Sequence, residues 1–295
     1  MAEIKRFIAK IRAIDAICLS YIILMIIIIS LFGYKLDDQL YIITVYISCF
    51  AGSLMFIFLR RFSNKILNFF TDNYPLILLI PFYEISGHQV HMIFDGFFDD
   101  YILMIENAVF PVHPVTWFEQ FYNPILTEWM MMGYSVYLLL IPITTGWFYF
   151  TDQKEAAEHN LGSLLLSLIS CYMVFFLLPV EGPRFAMANQ YTGELTGFLF
   201  RAITNLLESG AMLHGGAFPS AHCSAATVML LLSYKYDRKL FKWIIVILIT
   251  LYISTVYGRY HYPLDVLAGM LFGIAGVKLY HPIKRLWDRI AGRDG

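Results

Sequence analysis

A histidine and an aspartate in the sequence HYPLD are the strongest candidates for chemistry in this chain. His261 and Asp265 are four residues apart, and Pro263 between them favours the first turn of a helix. On such a helix the carboxylate lies beside one imidazole nitrogen and leaves the other nitrogen free to attack an electrophile. The spacing therefore predicts a histidine nucleophile oriented by a carboxylate, which also stabilises the imidazolium form. The alternative is a helix-capping aspartate beside an interfacial histidine.

A second histidine follows a Pro-Ser pair in the sequence GGAFPSAHCSAA, at residues 215–226. Pro219 and Ser220 precede an apolar run, which predicts a helix start with Ser220 near the cap and His222 in the first turn. A helix N-terminus presents free backbone N–H groups and the positive end of the helix dipole, which together favour phosphate. We expect Ser220 and these amides to bind phosphoryl oxygens while His222 protonates a leaving oxygen.

Two arginines lie in segments that we expect to meet these histidines. Arg184 follows Gly182 and Pro183, and Arg259 lies two residues before His261. Guanidinium groups bind phosphate oxygens through paired N–H donors and stay charged at any biological pH. Either arginine alone suits an ordinary contact with a lipid headgroup. Together with the histidine segments they predict a phosphate site and transfer of a phosphoryl group through histidine.

The chain that must position these residues is too apolar for a soluble domain of its size. Hydrophobic residues make up 59% of its 295 residues, and charged residues only 15%. Most of the apolar stretches approach the roughly 20 residues that a helix needs to cross the hydrocarbon core. We predict an all-α, polytopic membrane helical bundle of about eight spans, at residues 14–34, 41–59, 74–93, 125–149, 161–180, 221–234, 240–258 and 262–280.

The placement of lysine and arginine predicts the orientation of these spans, because short cytoplasmic loops are enriched in both residues. With the N-terminus in the cytoplasm, all 21 lysines and arginines lie on the cytoplasmic side except Lys35, Arg184, Arg201 and Arg259. We therefore expect a multi-pass membrane protein with both termini in the cytoplasm. The histidine and arginine segments then reach the extracytoplasmic face.

The sequence contains no internal repeat and no Pro/Gly/Ser-rich linker, which predicts a single membrane domain. Within it we expect residues 1–124 to form N-terminal spans and an outer interfacial segment, and residues 125–295 to form the catalytic core with a cytoplasmic tail. Acids, aromatics and prolines at 94–124 are typical of a segment on the outer leaflet. Residues 196–208 predict a second interfacial helix, which either roofs the site or lies on the surface.

Further polar residues lie within or next to the predicted spans. Glu84, His88 and His91 are spaced so that they share one face of the third helix. They suit recognition of a headgroup or an acceptor alcohol, or a buried network that supports the site. Carboxylate and imidazole groups also bind metals, but one helix offers too few ligands, so we expect no metal and no other cofactor. Glu128 and His214 are weaker candidates for the same cavity.

The order of the motifs resembles the type 2 phosphatidic acid phosphatase superfamily, whose three signatures run Lys-x6-Arg-Pro, Pro-Ser-Gly-His and Ser-Arg-x5-His-x3-Asp. Residues Pro219–His222 match the second signature with alanine in place of glycine. Ser254, His261 and Asp265 match the third. The resemblance covers residues 160–281. It implies a six-helix catalytic core and metal-independent transfer through a phosphohistidine, with lipid phosphate as the substrate.

The same resemblance assigns roles to three residues of this sequence. It makes His261 the nucleophile, His222 the acid and base, and Asp265 the orienting carboxylate. Besides the alanine in the second signature, two positions differ: Leu177 stands where the first signature has lysine, and Thr255 stands where the third has arginine. Pro183 also precedes Arg184 instead of following it, and Arg259 offers a charge near the lost arginine. The diverged first signature and long front half are similar to the inositol phosphorylceramide synthase branch, in which the phosphoryl-bearing group passes to another alcohol instead of water.

Other functional classes are consistent with parts of the sequence. Acidic and histidine residues within spans also line ion paths in transporters, although the inverted repeats expected of many transporters are not found in the sequence. A lipid-binding scaffold without activity is consistent with the missing lysine of the first signature. The net charge of -1 gives no reason to expect a nucleic-acid partner, so we expect the bilayer and a lipid phosphate as partners, with the oligomeric state open.

Overall fold

A computed structural model describes residues 10–60, 65–211 and 213–293. Their regular structure is helical, as the apolar sequence predicts. We number the α-helices α1 to α12 in chain order. Their bounds are Ala13–Phe32, Gln39–Leu59, Lys65–Gly87, Asp99–Val109, Pro114–Trp117, Pro124–Phe150, Lys154–Leu177, Pro183–Ala186, Leu199–Ala211, Ala221–Tyr236, Arg238–Tyr257 and Pro263–Ile290. Short 3-10 turns lie at Gly33–Lys35, Phe118–Phe121 and Ala188–Gln190.

Six helices in the described ranges are long and apolar enough to cross a membrane, which makes the chain a multi-pass membrane protein. They are α1, α2, α6, α7, α11 and α12. The prediction of an all-α membrane bundle is confirmed, whereas the count of eight spans is not. The two further helices predicted to span are α3, which contains Pro75 and Pro81, and α10, which has 16 residues.

Helix α7 lies at the centre of the bundle, with 72% of its most apolar window buried by other helices. Helices α10 and α12 pack against it and against each other. Glycines on α12 permit this close approach, because an added Cβ at Gly269 would lie 2.3 Å from the Ser220 carbonyl oxygen. At Gly273 it would lie 2.5 Å from the Ser224 carbonyl oxygen. Small residues at such crossings let membrane helices approach backbone to backbone.

A short backbone pairing joins two motif segments above these helices. The Val180 amide donates to the Gly215 carbonyl at 3.1 Å, and the Ala217 amide donates to the Val180 carbonyl at 2.9 Å. The pairing fixes the chain before α10 to the chain after α7. It also positions the Ala217 carbonyl oxygen, which lies 2.8 Å from His261 Nδ1.

The third predicted helix ends earlier than the sequence pattern suggested. Helix α3 stops at Gly87, so His88 and His91 lie in the turns beyond it. The prediction that Glu84 shares a helical face with both histidines is therefore wrong. The hydrophobic run continues past Gly87, but its backbone turns away from the helix axis.

The two segments predicted to be interfacial form short helices. Residues 94–124 hold α4, α5 and a 3-10 turn, and residues 199–211 form α9. On α9, Leu199 and Leu206 are 63% and 73% exposed, whereas Thr204 is fully buried and its hydroxyl lies 2.9 Å from that of Ser135 on α6. The polar side of α9 therefore faces the protein and its apolar side faces outward, as expected of a helix next to lipid.

Candidate functional site

His261 lies in the loop between α11 and α12, and its ring is buried. Its amide and that of Tyr260 donate to the Thr255 carbonyl at the end of α11, at 3.0 and 2.9 Å, so the loop is tied to the helix. The His261 Nδ1 lies 2.8 Å from the Ala217 carbonyl oxygen. A carbonyl oxygen can only accept, so Nδ1 carries the proton and Nε2 carries the lone pair.

Asp265 lies below this ring in the first turn of α12 and is fully buried. Its Oδ2 accepts from the Tyr262 amide at 2.8 Å and lies 3.5 Å from His261 Nδ1. The structure thus brings together the predicted pair at positions four apart. The backbone carbonyl of Ala217 is nevertheless the nearer acceptor for the His261 N–H.

His222 lies in the first turn of α10, with its Nδ1 3.4 Å from His261 Nε2. The rings of Tyr134 and Tyr137 on α6 pack against it, each with its centroid 4.9 Å from the imidazole centroid. Ser220 is the N-cap of α10, since its Oγ accepts from the Cys223 amide at 3.3 Å. The structure therefore brings the two histidines together at the helix start that Ser220 caps.

Asp99 at the start of α4 holds the segment that carries Arg184. One of its carboxylate oxygens accepts from the Glu181 amide at 2.7 Å, and the other accepts from the Gly182 amide and the Tyr262 hydroxyl, both at 2.9 Å. Gly182 has a φ of 95°, a region that favours glycine. Asp99 thus connects the arginine segment to the residue that follows His261.

The side chain of Arg184 reaches a carboxylate on α9. Its Nη1 lies 2.6 Å from Glu208 Oε2, while Arg201 Nη1 lies 3.3 Å from Glu208 Oε1. The Tyr260 hydroxyl also donates to Glu208. Tyr260 stacks on Tyr134, which in turn stacks on His222, with centroid separations of 4.3 and 4.9 Å. Arg184 therefore lies in a cluster that adjoins the histidine pair through aromatic rings.

The structure directs Arg259 away from the histidine pair. Its Nη2 lies 2.7 Å from Glu119 Oε1 and donates to the Gly193 carbonyl at 2.5 Å, and its guanidinium lies 3.9 Å from the centroid of the Tyr191 ring. The backbone φ of Arg259 is 65°, in the left-handed region, which turns the side chain towards this partner. Arg259 thus ties the loop before His261 to the 3-10 turn that holds Glu119.

The weaker candidates occupy the edge of the structure. His88 Nδ1 lies 3.0 Å from Asp38 Oδ2, and Glu84 is exposed. His91 Nδ1 lies 3.1 Å from the Phe94 carbonyl oxygen. These contacts are with residues outside the motif segments.

Two other weak candidates contact the segments around the site. His214 Nε2 lies 2.6 Å from Glu181 Oε1, and its ring packs on that of Phe185, next to Arg184. Glu128 accepts from the amides of Phe200 and Arg201, at 2.8 and 3.0 Å, and so caps the start of α9.

The sequence matches the PAP2 superfamily over residues 102–279, which is more than half of the chain. The chain belongs to the PAP2 superfamily. This PAP2 chain is also 30% identical, over 121 residues, to a PA-phosphatase related-family protein of Dictyostelium discoideum. The aligned region is 38% of this chain and 22% of that relative, so the chain spans only part of the relative's length. No solved structure matches the chain.

Two acids of this PAP2 superfamily member, Asp99 and Glu106, bind backbone amides of the motif segments and were not predicted from the sequence. Besides Asp99, Glu106 on α4 is buried, accepts from the Leu264 amide at 2.7 Å and lies 2.8 Å from His113 Nε2. Asp99 and Glu106 are seven residues apart, so they lie on one face of a helix. Their spacing within the predicted interfacial segment is the signal that could have identified them.

Burial determines the protonation state of His261, in the loop between α11 and α12. Loss of hydration lowers the pKa of His261 to about 4, and its hydrogen bond to the Ala217 carbonyl only partly opposes this effect. Burial also raises the pKa of Tyr262, and the neighbouring Asp99 carboxylate raises it further. At neutral pH His261 is therefore an uncharged imidazole.

Proposed function

We propose that this protein is an integral-membrane lipid-phosphate phosphatase or phosphotransferase that acts through a phosphohistidine on His261. The observation that carries the proposal is the tautomer of His261, because the Ala217 carbonyl takes the Nδ1 proton and leaves a lone pair on Nε2. That nitrogen faces His222 at 3.4 Å, within reach of a proton donor.

The proposed reaction has two steps. In the first, His261 Nε2 forms a bond to phosphorus, the ester P–O bond breaks, and the departing alcohol takes a proton from His222. Phosphorus must enter between the two rings, so their 3.4 Å contact has to open. In the second, water or an alcohol attacks phosphorus, the P–N bond breaks, and His222 accepts the proton of the attacking group.

Two acceptors stabilise the positive charge that develops on the His261 ring when Nε2 is phosphorylated. The Ala217 carbonyl accepts the Nδ1 proton directly, and the Asp265 carboxylate lies 3.5 Å from the same nitrogen. Asp265 is also held by the Tyr262 amide. We propose that Asp265 acts mainly through the charge of the imidazolium, because Ala217 already fixes the tautomer.

The phosphoryl oxygens have donors on two sides of the proposed site. Ser220 and the first turn of α10 lie beside His222, at the positive end of that helix. Arg184 offers a guanidinium that is 35% exposed and therefore able to turn. We leave Arg259 out of the phosphate set, because Glu119 and the Gly193 carbonyl already bind its guanidinium.

We further propose that both termini lie in the cytoplasm and that the site opens on the extracytoplasmic side near the headgroup layer. The distribution of lysine and arginine supports this orientation. In this arrangement residues 1–124 support a catalytic core at 125–295 that works without a metal. Residues on both sides of that boundary contact the motif segments, since Asp99 and Glu106 lie before it.

A second acceptor is consistent with the first signature. Leu177 stands where the superfamily signature has lysine, a change that favours a phosphotransferase similar to inositol phosphorylceramide synthases. The phosphoryl-bearing group then passes to an alcohol, and Glu84, His88, His91 and His214 remain candidates to contact the headgroup or the acceptor. In the phosphotransferase the phosphorus on His261 keeps its headgroup ester before it passes to the alcohol, whereas in the phosphatase a bare phosphoryl group passes to water.

A product assay tests the proposal and separates its variants. Purified protein is incubated with labelled phospholipids, with and without inositol, and free phosphate is scored against a new phosphodiester. We expect one of the two products, and we expect it to disappear in His261→Ala and in His222→Ala. Full activity in purified, folded His261→Ala protein contradicts the proposal.

A further inference from the structure

Glu208 occupies an unusual position for a carboxylate on an outer helix. It is only 10% exposed and lies between the guanidinium groups of Arg184 and Arg201, at 2.6 and 3.3 Å. The Tyr260 hydroxyl donates to it as well. Donors from three separate segments of the chain thus converge on one anionic group.

These donors would suit a phosphate at least as well as a carboxylate. Two guanidinium groups face a single carboxylate, so the cluster of Arg184, Arg201 and Glu208 carries one positive charge in excess. A phosphate monoester brings more negative charge and more acceptor oxygens than a carboxylate. It would therefore satisfy the same donors more fully.

The cluster adjoins the reactive histidines and an apolar outer surface of the protein. Tyr260 precedes His261 directly, and its ring joins that of His222 through Tyr134. Helix α9, which carries Arg201 and Glu208, exposes Leu206 on its outer side. A lipid that reaches the site from the bilayer along this helix passes these arginines.

We propose that Arg184, Arg201 and the Tyr260 hydroxyl form a binding site for the phosphate of the substrate, and that Glu208 fills this site when no substrate is bound. The inference rests on the proposed function, whose phosphate it binds. Glu208 competes with phosphate for Arg184 and Arg201, so the substrate must displace its carboxylate. Arg201 would supply a second cation in a chain whose first signature lacks its lysine.

The test measures phosphate binding in a protein that cannot turn over. In a His261→Ala background, inorganic phosphate and a short-chain lipid phosphomonoester are titrated by calorimetry, one for each source of the phosphate group. Removing an internal competitor raises the apparent affinity by the reciprocal of the fraction of time for which the site was open. We expect Glu208→Gln to tighten both ligands about ten-fold, and Arg201→Gln to weaken both several-fold.

Glu194→Gln is the matched control, because Glu194 is an exposed carboxylate in the segment before α9 and is not the carboxylate that pairs with Arg184 and Arg201. It should leave phosphate affinity within about two-fold of the parent. Unchanged or weaker phosphate binding in folded Glu208→Gln overturns the inference. If that variant does not fold, unchanged binding in Arg201→Gln overturns it instead.

The outcome is separable from the proposed function. If the parent protein forms no product that depends on His261, the proposed function is contradicted. The phosphate-binding series is measured without turnover and does not depend on that result. A protein that is active but shows no tightening in Glu208→Gln contradicts this inference alone.

Discussion

At the residue scale, one hydrogen bond determines which nitrogen of His261 keeps its lone pair. The Ala217 carbonyl accepts the Nδ1 proton of His261 and so leaves Nε2 as the nucleophile. A carbonyl oxygen remains a hydrogen-bond acceptor as the pH changes, whereas a carboxylate loses its charge when it binds a proton. The Asp265 carboxylate adds charge stabilisation from 3.5 Å.

The buried His261 predicts an unusual pH profile. Burial lowers its pKa to about 4, so the lone pair on Nε2 persists as the pH falls through 6.5 and is lost only as the pH falls through about 4. We expect protonation of the enzyme to reduce kcat/KM only at a pH more than one unit below 6.5. The ionisation of the substrate phosphate is measured separately and subtracted. An enzyme limb at pH 6.5 or above contradicts the buried, neutral nucleophile.

The hydrogen bonds of Asp99 predict that this residue positions the segment that carries Arg184. Asp99→Asn weakens the acceptors for the amides of Glu181 and Gly182 and for the Tyr262 hydroxyl. Hydrogen bonds to charged groups contribute about 1.5–3 kcal/mol each, so we expect kcat/KM to fall at least about ten-fold. The loss should lie mainly in KM, because Asp99 holds the Arg184 segment and does not contact the reacting nitrogen.

Asp100→Asn is the control, since the neighbouring Asp100 is exposed. It should behave like the parent protein in both parameters. A loss confined to thermal stability in Asp99→Asn, with KM unchanged, contradicts a positioning role.

At the element scale, two helix starts create the site. The Pro-Ser pair predicts the start of α10, and HYPLD predicts the start of α12; the structure has both, with Ser220 as the cap and Pro263 in the first turn. Local signals of this kind are readable because capping depends on neighbouring residues. The contact between His261 and His222 needs the two helices to pack closely, which Gly269 and Gly273 allow.

Other parts of the site were not readable from local sequence. The partner of Arg259 is Glu119, 140 residues away, and the partner of Arg184 is Glu208 on a separate helix. The acceptor of His261 Nδ1 is a backbone carbonyl, which no residue type reveals. Such pairings follow from tertiary packing, so patterns of spacing within one segment cannot predict them.

The α10 and α12 crossing gives a prediction for Gly269. An added Cβ at this position would lie 2.3 Å from the Ser220 carbonyl oxygen, a backbone atom that cannot rotate away. We expect Gly269→Ala to separate the helices, to cost about 1–3 kcal/mol of stability, and to reduce activity by moving Ser220 and His222. Thermal unfolding in detergent and turnover measure both effects.

Gly52→Ala on α2 is the control, since an added Cβ there meets no described atom within 4 Å. It should leave stability and turnover near those of the parent. Equal tolerance of both substitutions contradicts the requirement for close helix approach.

At the scale of the whole molecule, the proposal needs one orientation in the membrane. Glu194 and Lys154 are both exposed, and the four native cysteines are buried. We expect an impermeant maleimide to label Glu194→Cys on intact cells and to label Lys154→Cys only after permeabilisation. The reverse pattern contradicts an extracytoplasmic site.

The central claim is that His261 carries the phosphoryl group, and trapping that intermediate tests it most directly. The protein is mixed with a lipid labelled in the transferred phosphoryl group, quenched in alkali, digested and mapped by mass spectrometry. We expect an alkali-stable phosphohistidine on the peptide that contains His261, and no phosphate at this position in His261→Ala. With a substrate whose good leaving group needs no proton in the first step, the phosphohistidine should accumulate in His222→Ala. Product formation with no phosphate on His261, or with the label on another residue, contradicts it.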